Sequence, residues 1–295
     1  MRHIKLLAML ATVCLALVLP AVHAAAAPPP CVGWFPITEV LYGVMAHSDG
    51  TIWVGGSNHV FRYSRGGAQL SVVTGYGATS MAEAPGGDVY VLDYWGRTVN
   101  RYSSAGSLIA SWPMALAMRE GGRVVVDASG NVYVLCFTSG FTTSAIVKYD
   151  GAGNQLASVT GLTGSDGLAL SGGQLYCSEI YGGNIRIFSP ALVSTGTITN
   201  PATYGTGLGS DAAGNLMQPD YYGYTVHYLS SSGSPLGQFV TTGSGFPYLW
   251  RPVSADEASD HLYVVGEQNG YVLLFQEASV PVTTQSWGDL KATYR

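Results

Sequence analysis

Three short segments place a carboxylate two residues before an aromatic ring and three before a glycine. They are Asp93-Tyr94-Trp95-Gly96, Glu179-Ile180-Tyr181-Gly182 and Asp220-Tyr221-Tyr222-Gly223. A fourth, Glu267-Gln268-Asn269-Gly270, keeps acid and glycine without the ring. Carboxylates beside aromatic faces can stack a sugar, grip a cation or anchor a partner through ring-centred hot spots. The candidate ligand-binding residues are therefore Asp93, Trp95, Glu179, Tyr181, Asp220, Tyr222 and Glu267. Trp112 and Trp250, in connections into the next blade, join them; Tyr204 lies in another such connection, and core packing is the alternative for all three. The competing role is structural. An acid that recurs in the same turn is the kind of residue that holds the turn together.

Other chemistries find less support. His47, His59, His227 and His261 occupy unrelated positions and suggest no common metal centre. No Gly-x-Ser-x-Gly elbow is present. Gly205-Thr206-Gly207-Leu208-Gly209 resembles a phosphate loop but leads into a strand, without the positive helix end that attracts phosphate. Asp166-Gly167 is compatible with a channel-facing calcium site, and equally with ordinary turn chemistry. No catalytic residue, metal ligand or cofactor is assigned, with calcium kept as the one open alternative.

These segments lie within a repeat. Ile52-Trp53-Val54, Val89-Tyr90-Val91, Val132-Tyr133-Val134, Leu175-Tyr176-Cys177, Leu216-Met217-Gln218 and Leu262-Tyr263-Val264 start 37, 43, 43, 41 and 46 residues apart. Each follows a turn rich in Gly, Asp or Ser. Each precedes a second apolar strand, as at Val99 and Tyr102 or Ile146 and Tyr149. A preceding strand such as Arg123-Val124-Val125-Val126 and a following one such as Leu108-Ile109-Ala110 complete four strands per repeat. A period near 40 residues in an all-strand sequence predicts an all-β, six-bladed β-propeller of four-stranded antiparallel blades.

The run from Val124 to Val134, with Asp127-Ala128-Ser129-Gly130-Asn131 as its turn, and Ile146-Val147-Lys148-Tyr149-Asp150-Gly151, resembles the NHL-type repeat family. Residues 81–106 give a second clear copy, and the resemblance extends over about 37–276. It implies a six-bladed propeller and no particular activity. In such repeats the acid after the second strand commonly bonds its own turn. Six-bladed propellers also include metal-dependent lactonases and lyases, which would use acids such as Asp93, Glu179, Asp220 and Glu267 at the channel.

With four antiparallel strands per blade, the second-to-third-strand loops and the connections into the next blade open on one face. The candidate residues belong to that face. The sixth blade lacks a clear fourth strand. Either Val280-Pro281-Val282 or the segment from Cys31 to Phe35 must supply it, and the latter closes the ring by removing two free edges.

The expected organisation is a signal peptide over 1–24, a Pro-rich linker with the closing strand over 25–36, the propeller over 37–282 and a tail over 283–295. Arg2, His3 and Lys5 precede the apolar run Leu6–Leu19, and Val22-His23-Ala24 suits cleavage. That run is too short to span a bilayer. The tail places Trp287, Leu290 and Tyr294 on one helical face, as a sorting tag of an exported bacterial protein or a docked end. Removing Arg2 and Lys5 leaves 11 basic and 18 acidic residues, a formal net charge of −7. That balance disfavours nucleic acid. Cys31, Cys136 and Cys177 remain; Cys136 and Cys177 lie in neighbouring repeats, as a disulfide or as buried thiols.

The sequence reading is thus an exported monomer, secreted, periplasmic or at the cell surface. It acts as a binding or scaffold module for a protein, glycan or small molecule. A metal-dependent lactonase, hydrolase or lyase is the alternative.

Overall fold

The computed structural model describes residues 28–93, 95–114, 122–139, 142–181, 183–240, 249, 251–258 and 261–276. The leader, the tail, Val280-Pro281-Val282 and Trp250 lie outside them. The described residues form twenty-four strands in six four-stranded antiparallel sheets and include no helix.

The first blade comprises β2 (Leu41–Ala46), β3 (Ile52–Gly56), β4 (Val60–Tyr63) and β5 (Gln69–Thr74). The second holds β6 (Ala78–Glu83), β7 (Val89–Asp93), β8 (Thr98–Tyr102) and β9 (Leu108–Pro113). The third holds β10 (Gly122–Val126), β11 (Val132–Ser139), β12 (Thr143–Tyr149) and β13 (Gln155–Thr163). The fourth holds β14 (Ser165–Ser171), β15 (Gln174–Glu179), β16 (Gly183–Phe188) and β17 (Ser194–Asn200). The fifth holds β18 (Gly209–Ser210), β19 (Leu216–Asp220), β20 (Thr225–Leu229) and β21 (Pro235–Gln238). The sixth is built from β22 (Pro252–Glu257), β23 (Leu262–Glu267) and β24 (Tyr271–Gln276), with β1 (Cys31–Pro36) as its outer strand. Trp34 lies opposite Leu273 and Phe35 opposite Val272, so the N-terminal segment closes the ring. First strands touch in a closed circuit from β2 through β6, β10, β14, β18 and β22 back to β2.

The core consists of six clusters, one at each junction between blades. Strand alternation produces this. Val89 and Val91 pack toward the first blade while Tyr90 packs toward the third. Trp53, Tyr133, Tyr176 and Met217 repeat the position of Tyr90, each filling the gap to the following blade. Burying one such ring contributes about 1.5–3 kcal/mol.

The sixth copy reverses this parity. Leu262 and Val264 face the first blade, and Tyr263 and Val265 face the fifth. Its register therefore begins at Tyr263, one residue later than Leu262-Tyr263-Val264 suggests. That shift brings Glu267 into line with Asp93, Glu179 and Asp220.

All three described cysteines are free and buried. Burial pushes the thiols of Cys136 and Cys177 up to about 12, so both pack as small apolar groups rather than as nucleophiles. Of the two readings of this pair, buried thiols are what the structure shows.

Candidate functional site on the loop face

The axis of the propeller is closed by one side chain. Arg123 enters from β10, only 8% exposed, and spends its N–H groups on four other blades. Nη1 donates to Thr79 O at 2.7 Å and Tyr42 O at 3.4 Å. Nη2 donates to Val253 O at 3.3 Å and to Asp166 Oδ2 at 3.2 Å, and Nε donates to Asp166 O at 2.7 Å. The Asp166 carbonyl also accepts Gly207 N–H at 3.0 Å, which brings in the fifth blade. Gly207 has φ of 69°, and a Cβ there would lie 2.7 Å from Val253 O, so only glycine lets the connection pass this close. A planar fork with five donors suits such a convergence of carbonyls.

Arg123 lines two cavities, one on each side of it. The channel below, about 280 Å³, runs between the inner strands to the opposite face. Its carboxylates serve the ring: Glu83 accepts Ser48 N–H at 2.8 Å and Glu257 accepts Ala212 N–H at 2.5 Å, each from the preceding blade. Asp256 accepts Ala46 N–H at 2.9 Å across the ring closure. Burial pushes its carboxyl up to about 7, aided by the charges of Glu257 and Glu83 and opposed by hydrogen bonds from Ala46 and Glu257.

The cavity above, about 270 Å³, opens on the loop face as a funnel. Arg123 and Asp166 lie at its base, and Tyr204, Tyr221, Tyr222 and Gln268 stand in its wall. Tyr204 is the hub of the aromatic wall. Its ring centroid lies 4.9 Å from Tyr222, 5.5 Å from Tyr181 and 5.7 Å from Tyr221, all tilted or edge-on. Tyr222 and Tyr181 remain 56% and 69% exposed. The Tyr221 hydroxyl donates to Gln268 Oε1, and the Arg251 guanidinium lies 5.1 Å from the Tyr221 ring centroid.

Asp220 sets this wall. Its carboxylate accepts the N–H groups of Thr203 at 2.8 Å, Tyr204 at 3.1 Å and Gly223 at 3.1 Å. One side chain thereby ties the connection carrying Tyr204 to the turn carrying Tyr221 and Tyr222. Burial acts to raise its carboxyl, but these hydrogen bonds outweigh burial and hold it below the usual range. His227 approaches Asp220 Oδ2 at 3.7 Å; burial lowers its imidazole against the pull of Asp220.

Asp166 behaves differently. Its side chain keeps 18% of its surface, yet protein surrounds it in the funnel. Desolvation raises its carboxyl, with the Arg123 charge opposing. Oδ2 bonds Arg123, and no donor among the described residues reaches Oδ1.

The remaining sequence candidates fall into place around this geometry. Asp93 Oδ1 accepts the N–H groups of Trp95 at 2.9 Å and Gly96 at 2.8 Å within its own turn. Glu179 accepts Arg186 Nε at 3.2 Å and Asn184 N–H at 3.3 Å. Glu267 is fully buried at the end of β23. Trp95 is 70% exposed on the second blade and lies outside the lining of the funnel. Trp112 is 8% exposed and packs between Tyr90 and Tyr149 in the junction of the second and third blades, not on the loop face. The structure thus gathers Tyr181, Tyr222 and Asp220 with Tyr204, and leaves Asp93, Trp95, Glu179 and Trp112 elsewhere.

Blade one has Gly56 at the acidic position, and Glu39 takes it over. Its Oε2 accepts Asn58 N–H at 2.7 Å and His59 N–H at 3.2 Å, and Oε1 bonds His59 Nδ1. A Cβ on Gly56 would lie 2.5 Å from that carboxylate. Glu39, Asp93, Glu179 and Asp220 thus all accept backbone N–H groups of nearby loops or strand ends. Among the described residues no three His, Cys, Asp or Glu side chains converge as a metal site. The Asp93, Glu179, Asp220 and Glu267 set does not fit a shared divalent cation at the channel.

The site lies on a six-bladed propeller whose fold is similar to that of several solved structures. The chain is 13% identical to virginiamycin B lyase from Staphylococcus aureus, with TM-score 0.58 over 83% of each chain. It is 12% identical to a gluconolactonase from Xanthomonas campestris, with TM-score 0.68 over 85% of this chain and 96% of the other. A streptogramin B lyase aligns with TM-score 0.60 and 11% identity over 82% of this chain and 96% of that one. At these identities the likeness is one of fold. No protein-family model matches the sequence, and no curated protein matches it. The resemblance to NHL-type repeats therefore stands as one of blade architecture. No helix among the described residues is long and apolar enough to cross a membrane.

Proposed function

We propose that this protein is an exported binding module whose ligand enters the loop-face funnel above Arg123. The observation that carries the reading is the Tyr204 cluster. Tyr181, Tyr221 and Tyr222 gather edge-on or tilted around Tyr204, three of these four rings line a concave site, and an acceptor, Asp166, lies at its base. Concave sites with apolar walls and a few fixed polar groups are the usual form of small-ligand pockets. Tyrosine supplies large contact area at little entropic cost. Five hydrogen bonds to protein acceptors hold Arg123, so the base of the funnel is formed before a ligand arrives.

Screening a diverse fragment set against the protein by ligand-observed NMR tests this. Hits that bind wild type and are lost in Tyr222→Ala support the funnel. Hits indifferent to Tyr222→Ala and Tyr204→Ala refute it.

The second reading is an enzyme. It is favoured by the fold shared with proteins described as a virginiamycin B lyase and a gluconolactonase. It would require a divalent cation, calcium or zinc, at the channel, and three of the acids that would hold it, Asp93, Glu179 and Asp220, already accept backbone N–H groups of nearby loops and strand ends. Elemental analysis of the purified protein, with lactone hydrolysis measured before and after chelation, separates the two. A stoichiometric metal with chelator-sensitive turnover would favour the enzyme.

A further inference from the structure

We propose that the funnel ligand is a neutral pyranose, as a free sugar or as the end of a glycan. This rests on the funnel being the binding site. The argument starts from charge. Asp166 has its counter-ion in place, with Arg123 Nη2 at 3.2 Å. A cationic ligand reaching Asp166 meets the Arg123 guanidinium behind it, with a second guanidinium, that of Arg251, 5.1 Å from the centroid of the wall ring Tyr221. An anionic ligand meets Asp166 itself. Either would leave a charge imperfectly compensated in a partly desolvated pocket, which is costly. A neutral ligand avoids both penalties.

The hydrogen-bonding groups point the same way. Oδ2 is committed to Arg123, so Asp166 Oδ1 is the carboxyl atom left to meet a ligand hydroxyl. Thr206 Oγ1 donates to Pro252 O at 2.9 Å, which leaves its lone pairs as acceptors. Gln268 has Oε1 engaged by Tyr221, which leaves its amide N–H₂ as the donating end. Adjacent hydroxyls both give and take hydrogen bonds and match this mixture. The C–H face of a pyranose ring supplies the flat apolar surface that Tyr204 and Tyr222 accept. A volume of about 270 Å³ suits one ring or one chain terminus.

Saturation-transfer NMR on the full chain tests the proposal. The probes are glucose, galactose, mannose, N-acetylglucosamine and disaccharides of each, beside benzyltrimethylammonium and benzoate. At least one sugar is expected to bind through its ring C–H protons, to lose binding in Tyr222→Ala and to weaken at least tenfold in Asp166→Asn. Binding by monosaccharides indicates a free sugar; binding by disaccharides alone indicates a glycan end. Tyr222 is exposed, so its variant carries the test if Asp166→Asn fails to fold. Tyr222-dependent binding of the ammonium or the benzoate, with every sugar silent, overturns the ligand class and leaves the funnel standing. Silence from all probes overturns both.

Discussion

Arg123 donates to Asp166 through two separate groups, Nε to the carbonyl at 2.7 Å and Nη2 to the carboxylate at 3.2 Å. The pair spans the third and fourth blades on the axis, and the remaining N–H groups reach three carbonyls on the first, second and sixth blades. Removing the guanidinium strands all of these acceptors in a buried place. Arg123→Leu is expected to cost on the order of 3–5 kcal/mol, as when one partner of a buried ion pair is lost. For a chain of this size that is a drop in Tm of roughly 6–20 °C, read by thermal denaturation. Arg123→Lys should recover only part, because a point charge with three donors cannot replace the fork. A Tm for Arg123→Leu equal to wild type would show that the hub does not hold the ring.

Asp220 predicts an acid limb. Its carboxyl is held below the usual 3.8, so the folded state favours the charged form. The associated stability is complete above the unfolded value and disappears as pH falls through the lowered native value. Near-ultraviolet circular dichroism should therefore report a tyrosine transition beginning below about pH 4. Asp220→Asn should flatten that transition and lower stability at pH 7. An unchanged acid limb in the variant would assign the transition to other carboxylates.

Glu39 and Gly56 should be energetically coupled. Glu39→Ala leaves the Asn58 and His59 N–H groups without their acceptor and is expected to cost about 1–3 kcal/mol. Gly56→Asp alone places a side chain against the Glu39 carboxylate and should destabilise too. The double variant puts the acid where the other blades carry it, and should be more stable than the sum of the single changes implies. Denaturant unfolding of all four proteins gives the coupling energy. Additivity would show that Glu39 does not stand in for the missing acid.

The two tryptophans separate packing from surface. Trp112→Ala should cost about 3–5 kcal/mol, the usual loss for a buried ring. Trp95→Ala should change stability by less than about 0.5 kcal/mol and leave binding in the funnel unaltered. Equal effects of the two on Tm would contradict their placement.

The architecture was legible because buried second strands recur with Gly- and Asp-bearing turns at a near-constant spacing. The register of the sixth copy was not. Both faces of a propeller strand are buried, so Leu262 and Tyr263 each pass as a core residue and alternation alone leaves a one-residue slip open. The loop-holding role of the acids was readable from their repetition. Tyr181 and Tyr222 were readable from the acid-x-ring-Gly spacing, and Tyr204 from its place in a connection. Arg123 left no trace beyond opening a strand, because its partners are main-chain carbonyls contributed by four distant segments. Tyr221 was hidden by the neighbouring Tyr222, which fits the motif. Asp166 showed only as an Asp-Gly pair, which turns use routinely.

The central claim is that ligand binds against the Tyr204 cluster. Ring-labelled tyrosine makes this directly visible by two-dimensional NMR, with ring signals assigned by Tyr181→Phe, Tyr204→Phe, Tyr221→Phe and Tyr222→Phe. On titration with the sugar that binds best, the signals of Tyr204 and Tyr222 should move with saturating shifts, while the core rings Tyr90, Tyr133 and Tyr149 stay fixed. Saturating shifts at tyrosines outside the cluster, with Tyr204 and Tyr222 unmoved, would contradict the account.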